Sequence, residues 1–227
     1  MMAKFAGFYT AVIGDIKASR KLEHRGDVQK KLAAILDKIN GDYASDIAAK
    51  FKITLGDEFQ GLLYCSSNVI KIIQFIEMEM YPVQLRYGIG VGEITTDIDP
   101  DIPLGADGPA YYHARKAIDH LKEMEQKKKS MEADTWIELQ EEEQDLQKLL
   151  NTLLSLTAAL KRNWSDRQYE IIKDYICHQD TQKNVAERLG ITQSSVQKGL
   201  AAAEYYTYQE ALDRVAGVLT QIGENDV

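Results

Sequence analysis

The chain has 227 residues, of which 44% are hydrophobic and 27% charged, and its formal net charge is −8. This length fits one large domain or two modest ones of ordinary globular composition. No apolar run approaches the roughly 18 residues of a membrane span, and the acidic balance argues against indiscriminate polyanion binding. The two cysteines, Cys65 and Cys177, form neither a disulfide framework nor a zinc motif. We expect a cytoplasmic protein with no membrane partner.

The amino-terminal half alternates between strand and helix patterns. In chain order these patterns predict a strand at Gly7–Ile13, a helix with apolar residues from Val28 to Ile39, a hairpin around the turn Gly56-Asp57-Glu58, a helix from Val69 that Pro82 ends, and a strand from Val83 to Val91. This βαββαβ order is that of the ferredoxin-like fold, an antiparallel sheet with helices on one face. The predicted class is α+β, with a palm-type ferredoxin-like domain first.

The following segments are predicted to be mostly helical. A loop at Thr95–Pro109 leads to a helix near Ala110–Lys128, and Thr135–Leu139 can add a last strand. A further helix carries leucines from Leu146 to Leu160 in a near 3,4 repeat, which suits either core packing or a dimer seam. The predicted domains are a ferredoxin-like domain at 1–140, a connecting helix at 141–162, and an all-α helix-turn-helix domain at 163–227.

The spacing within residues 181–200 is typical of a helix-turn-helix that binds DNA. Ala186 supplies the small residue where two helices touch, Gly190 takes the positive φ of the tight turn, and Val196 packs beneath them. The start of the second helix then exposes four DNA-binding candidates: Gln193, Ser194, Gln197 and Lys198. The alternative is an αα-hairpin for packing or protein binding, because residues 161–227 carry 8 basic and 10 acidic side chains.

Three carboxylates are predicted to converge at one end of the sheet. Asp15 ends the first strand, while Asp57 and Glu58 stand on the hairpin turn, and these two places are adjacent in a ferredoxin-like sheet. Converging carboxylates repel each other, and Mg²⁺ or Mn²⁺ relieves that repulsion while leaving sites for phosphate oxygens. Taken singly, each residue also suits an ordinary cap or turn.

The loop after Asp15 carries polar and basic side chains that suit phosphate contacts. These candidates are Lys17, Ser19, Arg20 and Arg25. A simple solvated loop explains the same residues equally well.

Four segments resemble the SatD family of bacterial proteins: GDIKASR, KITLGDEFQGLL, RYGIGVGEI and GADGPAYYHARKAI. That family joins an amino-terminal core to a carboxyl-terminal helix-turn-helix, and the resemblance covers nearly the whole chain. More distantly, the same segments resemble class III nucleotidyl cyclases and GGDEF diguanylate cyclases. The cyclase resemblance implies that Asp15 is the first metal aspartate and that Arg115 contacts the transition-state phosphates of a nucleotide.

The cyclase resemblance is incomplete where a cyclase reads the base. Tyr111 stands in place of an asparagine, and the base-selecting lysine falls at Ile53, with Lys52 one place away. Retained metal carboxylates beside altered base-reading positions imply a nucleotide-binding or degenerate site, or a phosphotransfer reaction of another kind.

Two functions follow from these patterns. The first is a homodimeric DNA-binding transcriptional regulator whose amino-terminal domain senses a metal–nucleotide or other phosphorylated ligand. The alternative is a metal-dependent nucleotidyl cyclase or nucleotidyltransferase whose helical domain docks a partner.

Overall fold

The structure, a computed structural model, describes residues 8–127 and 133–224. In this part of the chain, five strands form one sheet in the order β2-β3-β1-β4-β5. They are β1 (Tyr9–Ile16), β2 (Ile47–Leu55), β3 (Glu58–Leu63), β4 (Leu85–Gly92) and β5 (Thr135–Glu138). Neighbours are antiparallel except that β5 runs parallel to β4.

Three helices lie between the strands in the chain, and five more follow the last strand in the described residues. They are α1 (Arg25–Asp42), α2 (Val69–Met80), α3 (Pro109–Gln126), α4 (Gln144–Lys161), α5 (Asp166–His178), α6 (Gln182–Arg188), α7 (Gln193–Ala202) and α8 (Tyr205–Glu224). Up to β4 the order is βαββαβ, and the first four strands have the ferredoxin-like arrangement, so the predicted α+β class is confirmed. The predicted last strand is also present, as β5.

Helices cover both faces of the sheet. On one face Val12 and Ile16 of β1 join the core that holds α1 and α2, whereas the alternating Ala11 and Ile13 face α3. The ferredoxin-like plan predicts helices on one face only for the βαββαβ unit. The second face is covered because the chain continues through α3 before it returns as β5.

Helix α3 approaches the sheet closely because β4 has glycines beneath it. A Cβ atom on Gly90 would overlap the Ala110 carbonyl oxygen and the Ala114 nitrogen, and one on Gly88 would overlap the Ala114 carbonyl oxygen. The segment RYGIGVG therefore sets how near α3 comes to the strand ends.

The carboxyl-terminal helices pack against α2 and against each other. Tyr81, just after α2, stacks on Tyr169 of α5 with ring centroids 3.9 Å apart, and its hydroxyl donates to Asp166 at 2.6 Å. The indole N–H of Trp164 donates to the Ala203 carbonyl at 2.7 Å. One continuous core, including Ile172 of α5, thus joins these helices to the sheet.

Within the described residues, no helix combines the length and apolar character needed to cross a membrane.

Gly90→Ala tests the close packing of α3 on β4. The added methyl meets helix backbone that has no freedom to rotate away, so we expect the free energy of unfolding to fall by at least about 2 kcal/mol. The control is Gly217→Ala in α8, where an added Cβ meets nothing within 4 Å; it should raise stability by roughly 0.5–1 kcal/mol. Denaturant titration measures both, and equal effects would contradict the packing described.

Candidate functional site

Asp15 lies at the carboxyl end of β1, where three strands meet under α3. In register it stands opposite Glu58 of β3 on one side and Arg86 of β4 on the other. Its carboxylate contacts the Arg86 guanidinium at 3.3 Å and the Lys122 ammonium of α3 at 3.4 Å. Burial raises the pKa of Asp15, Lys122 and Arg86 oppose that rise, and Asp57 adds to it. The net direction is upward.

Glu58 is fully engaged by one arginine. Both of its carboxylate oxygens accept hydrogen bonds from Arg115 of α3, each at 2.6 Å. The Glu58 side chain is buried, whereas Arg115 is about two-fifths exposed. Hydrogen bonding to Glu58 raises the pKa of Arg115. The sequence placed Glu58 on the turn, but it is the first residue of β3, because its backbone pairs in register with Asp15.

Asp57 occupies the β2–β3 turn next to Gly56, whose φ is +64°. Its side chain accepts a hydrogen bond from the Ser19 hydroxyl and lies 3.7 Å from the Arg25 guanidinium. Its carbonyl accepts from the Ile16 N–H at 3.2 Å, which ties the turn to the end of β1. Asp57 therefore lies next to the end of β1 that carries Asp15. The sequence predicted that these two places are adjacent.

The other predicted phosphate contacts diverge. Lys17 turns toward Asp134, at 2.8 Å, and Glu125, at 3.3 Å. Arg20 is exposed, and no partner is seen for it among the described residues. Ser19, Arg25 and Arg115 each contact a carboxylate of the site, so the five candidates do not form one phosphate cradle.

The donor set can be compared with the predicted Mg²⁺ or Mn²⁺ site. Protein cations already neutralise Asp15 and Glu58, and Glu58 has both oxygens occupied. No group of three or more His, Cys, Asp or Glu side chains is placed to hold a metal ion in the described segments. As arranged, the residues do not fit a divalent cation, which would have to displace Arg86 and Lys122 from Asp15 and Arg115 from Glu58. The metal site remains a prediction.

The two residues at which the sequence departs from cyclases, Tyr111 and Ile53, pack inside the fold. Tyr111 is buried on α3, and no hydrogen-bond partner is seen for its hydroxyl among the described residues. Ile53 packs against the main core. Neither side chain is placed to read a base at the Asp15 end of the sheet.

The α6–α7 segment has a compact turn with an exposed second helix. Gly190 has φ +63°, and the Ile191 N–H reaches back to the Ala186 carbonyl at 2.9 Å. Thr192 caps α7 by accepting from the Ser195 N–H. The four predicted DNA-binding side chains of α7 are all exposed: Gln193, Ser194, Gln197 and Lys198.

A family model described as "SatD family" matches residues 9–216. The chain belongs to the SatD family. The sequence resemblance to SatD proteins is therefore confirmed over nearly the whole chain, whereas a search of curated proteins gives no match.

Solved structures similar to this SatD protein include cyclase catalytic domains. One is the catalytic core of a rhodopsin-guanylyl cyclase with converted specificity in complex with ATPαS, at 17% identity and TM-score 0.36, covering 49% of this chain and 71% of that one. Another is a bacterial light-regulated adenylyl cyclase, at 12% identity and TM-score 0.38, covering 58% and 75%.

A regulator of polyketide synthase expression from Bifidobacterium adolescentis covers 95% of this SatD chain and 81% of its own, at 12% identity and TM-score 0.27. Likenesses this distant say nothing about what the SatD protein binds.

Two cations of the site, Arg86 and Lys122, were not predicted from the sequence, whereas Arg115 and Arg25 were. Arg86 and Lys122 hold Asp15, and Glu125 links Arg86 to Lys17. A signal was present, because Arg115 and Lys122 are seven residues apart and so lie on one face of α3. Which face meets the strand ends depends on packing that periodicity alone does not give.

Asp15→Asn tests the raised pKa of Asp15 through the pH dependence of stability. When the pKa of an acid is higher in the folded state, ionisation of that acid lowers the free energy of unfolding. This loss is absent below the ordinary pKa of 3.8 and complete above the pKa of the folded state. The stability of the wild type relative to the variant should therefore fall as pH rises through that window and then level off. Urea titrations across that pH range measure this difference.

Asp101→Asn is the control with the opposite sign. A hydrogen bond from Lys50 lowers the pKa of Asp101, so this carboxylate contributes stability above its ordinary pKa and loses it as pH falls. With rising pH, the wild type should gain stability relative to Asp101→Asn. The same gain relative to Asp15→Asn would contradict the raised pKa of Asp15 and would show that its cations keep it ionised.

Proposed function

We propose that this SatD-family protein is a DNA-binding transcriptional regulator whose amino-terminal domain senses a nucleotide or another phosphorylated ligand. The observation that carries the proposal is the outer face of α7. It is exposed, polar and without an acidic residue, although the chain as a whole is acidic. Such a face matches the chemistry of a recognition helix.

The turn before α7 supports this role because it packs the inner face of α7 on α6 and α5 and leaves the outer face exposed to solvent. Ala186 and Val196 are buried at the α6–α7 contact, and Gly199 lets α7 pack closely on Ile171 of α5. The inner residues of α7 are thus used for packing. The side chains Gln193 and Gln197 are left free to meet base edges.

The charges around α7 support the same conclusion. Arg188 of α6 pairs with Asp174 of α5 and with Asp180 of the α5–α6 loop, each at 2.7 Å, so these two carboxylates are neutralised. Lys198 has no salt-bridge partner in the described part of the chain and is available to a phosphate. A local surface of this kind can bind DNA despite the net charge.

The outer face of α4 supports pairing of two copies. Leu149 and Leu156 are 58% and 57% exposed, while Leu150 and Leu154 face the core. Of the leucines predicted as a dimer seam, Leu149 and Leu156 face outward, whereas the other three are partly buried against the main core: Leu146, Leu153 and Leu160. Leu149 and Leu156 lie two helical turns apart on one face of α4, so an antiparallel second copy would place Leu149 against Leu156 across a two-fold axis.

Fewer observations support the alternative, a metal-dependent nucleotidyl cyclase or nucleotidyltransferase. Arg115 is held by Glu58, and Tyr111 is buried where a cyclase has asparagine. An enzyme needs these residues for turnover, whereas a sensor needs only to bind its ligand. The two departures therefore count against the cyclase more than against the regulator.

Gln193→Ala and Lys198→Ala should separate sequence preference from affinity. Loss of a bidentate base contact costs about 1–3 kcal/mol and relaxes specificity, whereas loss of a phosphate contact weakens binding to all sequences and lowers the salt slope by about one. A selection from randomised DNA with the full-length protein, followed by salt titrations, distinguishes them. Gln221→Ala and Lys30→Ala are the matched surface controls. A full-length protein that selects no sequence and binds no DNA at low salt would overturn the proposed function.

The double variant Leu149→Gln, Leu156→Gln should weaken self-association at least about tenfold, or 1.4 kcal/mol. Both side chains are largely exposed in the single chain, so folding should be unaffected. Leu104→Gln, at a leucine that is also 57% exposed, is the control. Sedimentation equilibrium measures the change, and a wild-type monomer at high concentration would remove the pairing.

A further inference from the structure

Tyr206, at the start of α8, is an aromatic side chain that the fold does not use for its core. It is 50% exposed, whereas its neighbours Tyr205 and Tyr208 are 6% and 2% exposed. Among the described residues, the one ring that it contacts is that of Tyr205, edge-on with centroids 5.7 Å apart. Packing therefore does not account for the position of this tyrosine.

A hydrogen bond orients the hydroxyl of Tyr206. The side-chain amide of Gln182, the first residue of α6, donates to the Tyr206 oxygen at 2.9 Å. A tyrosine hydroxyl can accept one hydrogen bond and donate another. Since Gln182 uses the hydroxyl as an acceptor, its hydrogen is left to be donated, and no acceptor for it is seen in the described part of the chain.

The chain places this pair beside α7. Helix α6 joins α7 through the Gly190 turn, and α8 begins after only two residues that follow the end of α7. The short connection is held in place, because the Ala203 carbonyl accepts a hydrogen bond from the Trp164 indole at 2.7 Å. Tyr206 therefore follows the carboxyl-terminal end of α7, whereas Gln193 begins that helix.

The dimensions of DNA give the two ends of α7 different surroundings. Helix α7 has 10 residues, so its ends lie roughly 15 Å apart, and the major groove of B-DNA is about 12 Å wide. A helix that enters the groove by its amino-terminal end reaches the bordering phosphates along such a length. Phosphate oxygens accept hydrogen bonds from tyrosine and glutamine side chains as well as from lysine and arginine.

The surface around Tyr206 carries little net charge. Glu210 pairs with Arg214 at 3.4 Å. Lys183 and Glu204 are exposed and opposite in sign. A phosphate contact at this place would therefore be a hydrogen bond from a neutral donor, in contrast to the charged contact expected from the lysine of α7.

We propose that Tyr206 is a positioning residue of the DNA interface, whose hydroxyl, oriented by Gln182, donates to a backbone phosphate and fixes how α7 lies in the groove. This inference rests on the proposed function and adds to it a contact outside α7. Because phosphates are alike in every sequence, the contact carries no base preference. Because the hydroxyl is uncharged, it neutralises no phosphate and leaves the salt slope unchanged.

The first test compares tyrosine-to-phenylalanine variants of the full-length protein on the DNA sequence that the wild type selects. Tyr206→Phe keeps the ring and removes the hydroxyl, so affinity should fall roughly three- to tenfold, with base preference and salt slope unchanged. Tyr112→Phe is the matched control, because Tyr112 on α3 is 58% exposed and its hydroxyl is also hydrogen-bonded, to Asp107. It should bind DNA as the wild type does.

The second test locates the contact on the DNA. A methylphosphonate replaces one phosphate at a time along the site, which removes the charge and one acceptor oxygen of that phosphate. At one position this replacement should weaken the wild type and Tyr112→Phe at least about threefold more than it weakens Tyr206→Phe, which no longer has the hydroxyl. A purely structural role of Tyr206 would give equal losses at every position, and that result would overturn the proposal.

The outcomes also separate this inference from the proposed function. A wild-type protein that binds no DNA would contradict both. A wild type that selects a DNA sequence, together with a Tyr206→Phe variant of equal affinity, would leave the proposed function standing and overturn the role of Tyr206.

Discussion

The close contact between α3 and β4 is the constraint on which the candidate site depends. Gly88 and Gly90 leave no side chain between the strand and the helix backbone. As a result Arg115 and Lys122 reach the ends of β1 and β3, where Glu58 and Asp15 are buried. Larger residues in β4 would lift the helix and leave buried carboxylates without cations, which is costly in a protein interior.

From Asp15 the ion pairs continue as one chain of alternating sign across the molecule. It runs through Asp15, Arg86, Glu125, Lys17, Asp134, Lys161 and Glu77. These seven groups are four acids and three bases, and Lys122, which also contacts Asp15, supplies the fourth positive charge. The cluster therefore needs no external ion for neutrality. It also connects the proposed sensing end of the sheet with the helices that carry α7.

The sequence predicted the elements well because strand and helix periodicities are local properties. The βαββαβ order, the strand at Thr135–Leu139 and the tight turn at Gly190 all follow from spacing or residue type, and each is present in the structure. Side-chain pairing was harder, because it depends on register. Asp15 is opposite both Glu58 and Arg86 only because β1 pairs with β3 on one side and with β4 on the other. Spacing along the chain therefore did not show that Arg86 and Lys122 contact Asp15. The leucines of α4 were similarly ambiguous until packing separated Leu150 from Leu149.

The position of Lys161 also bears on how such a protein can evolve. The end of α4 is fastened to two carboxylates that belong to α2 and to the chain before β5, and Ile172 of α5 is buried in the core shared with the sheet. The carboxyl-terminal helices are therefore not a portable module: joined to another sensor, they would expose apolar surface and leave a buried ammonium without its acids. Under the proposed function, DNA specificity would then change by substitutions on α7 more readily than by exchange of whole domains.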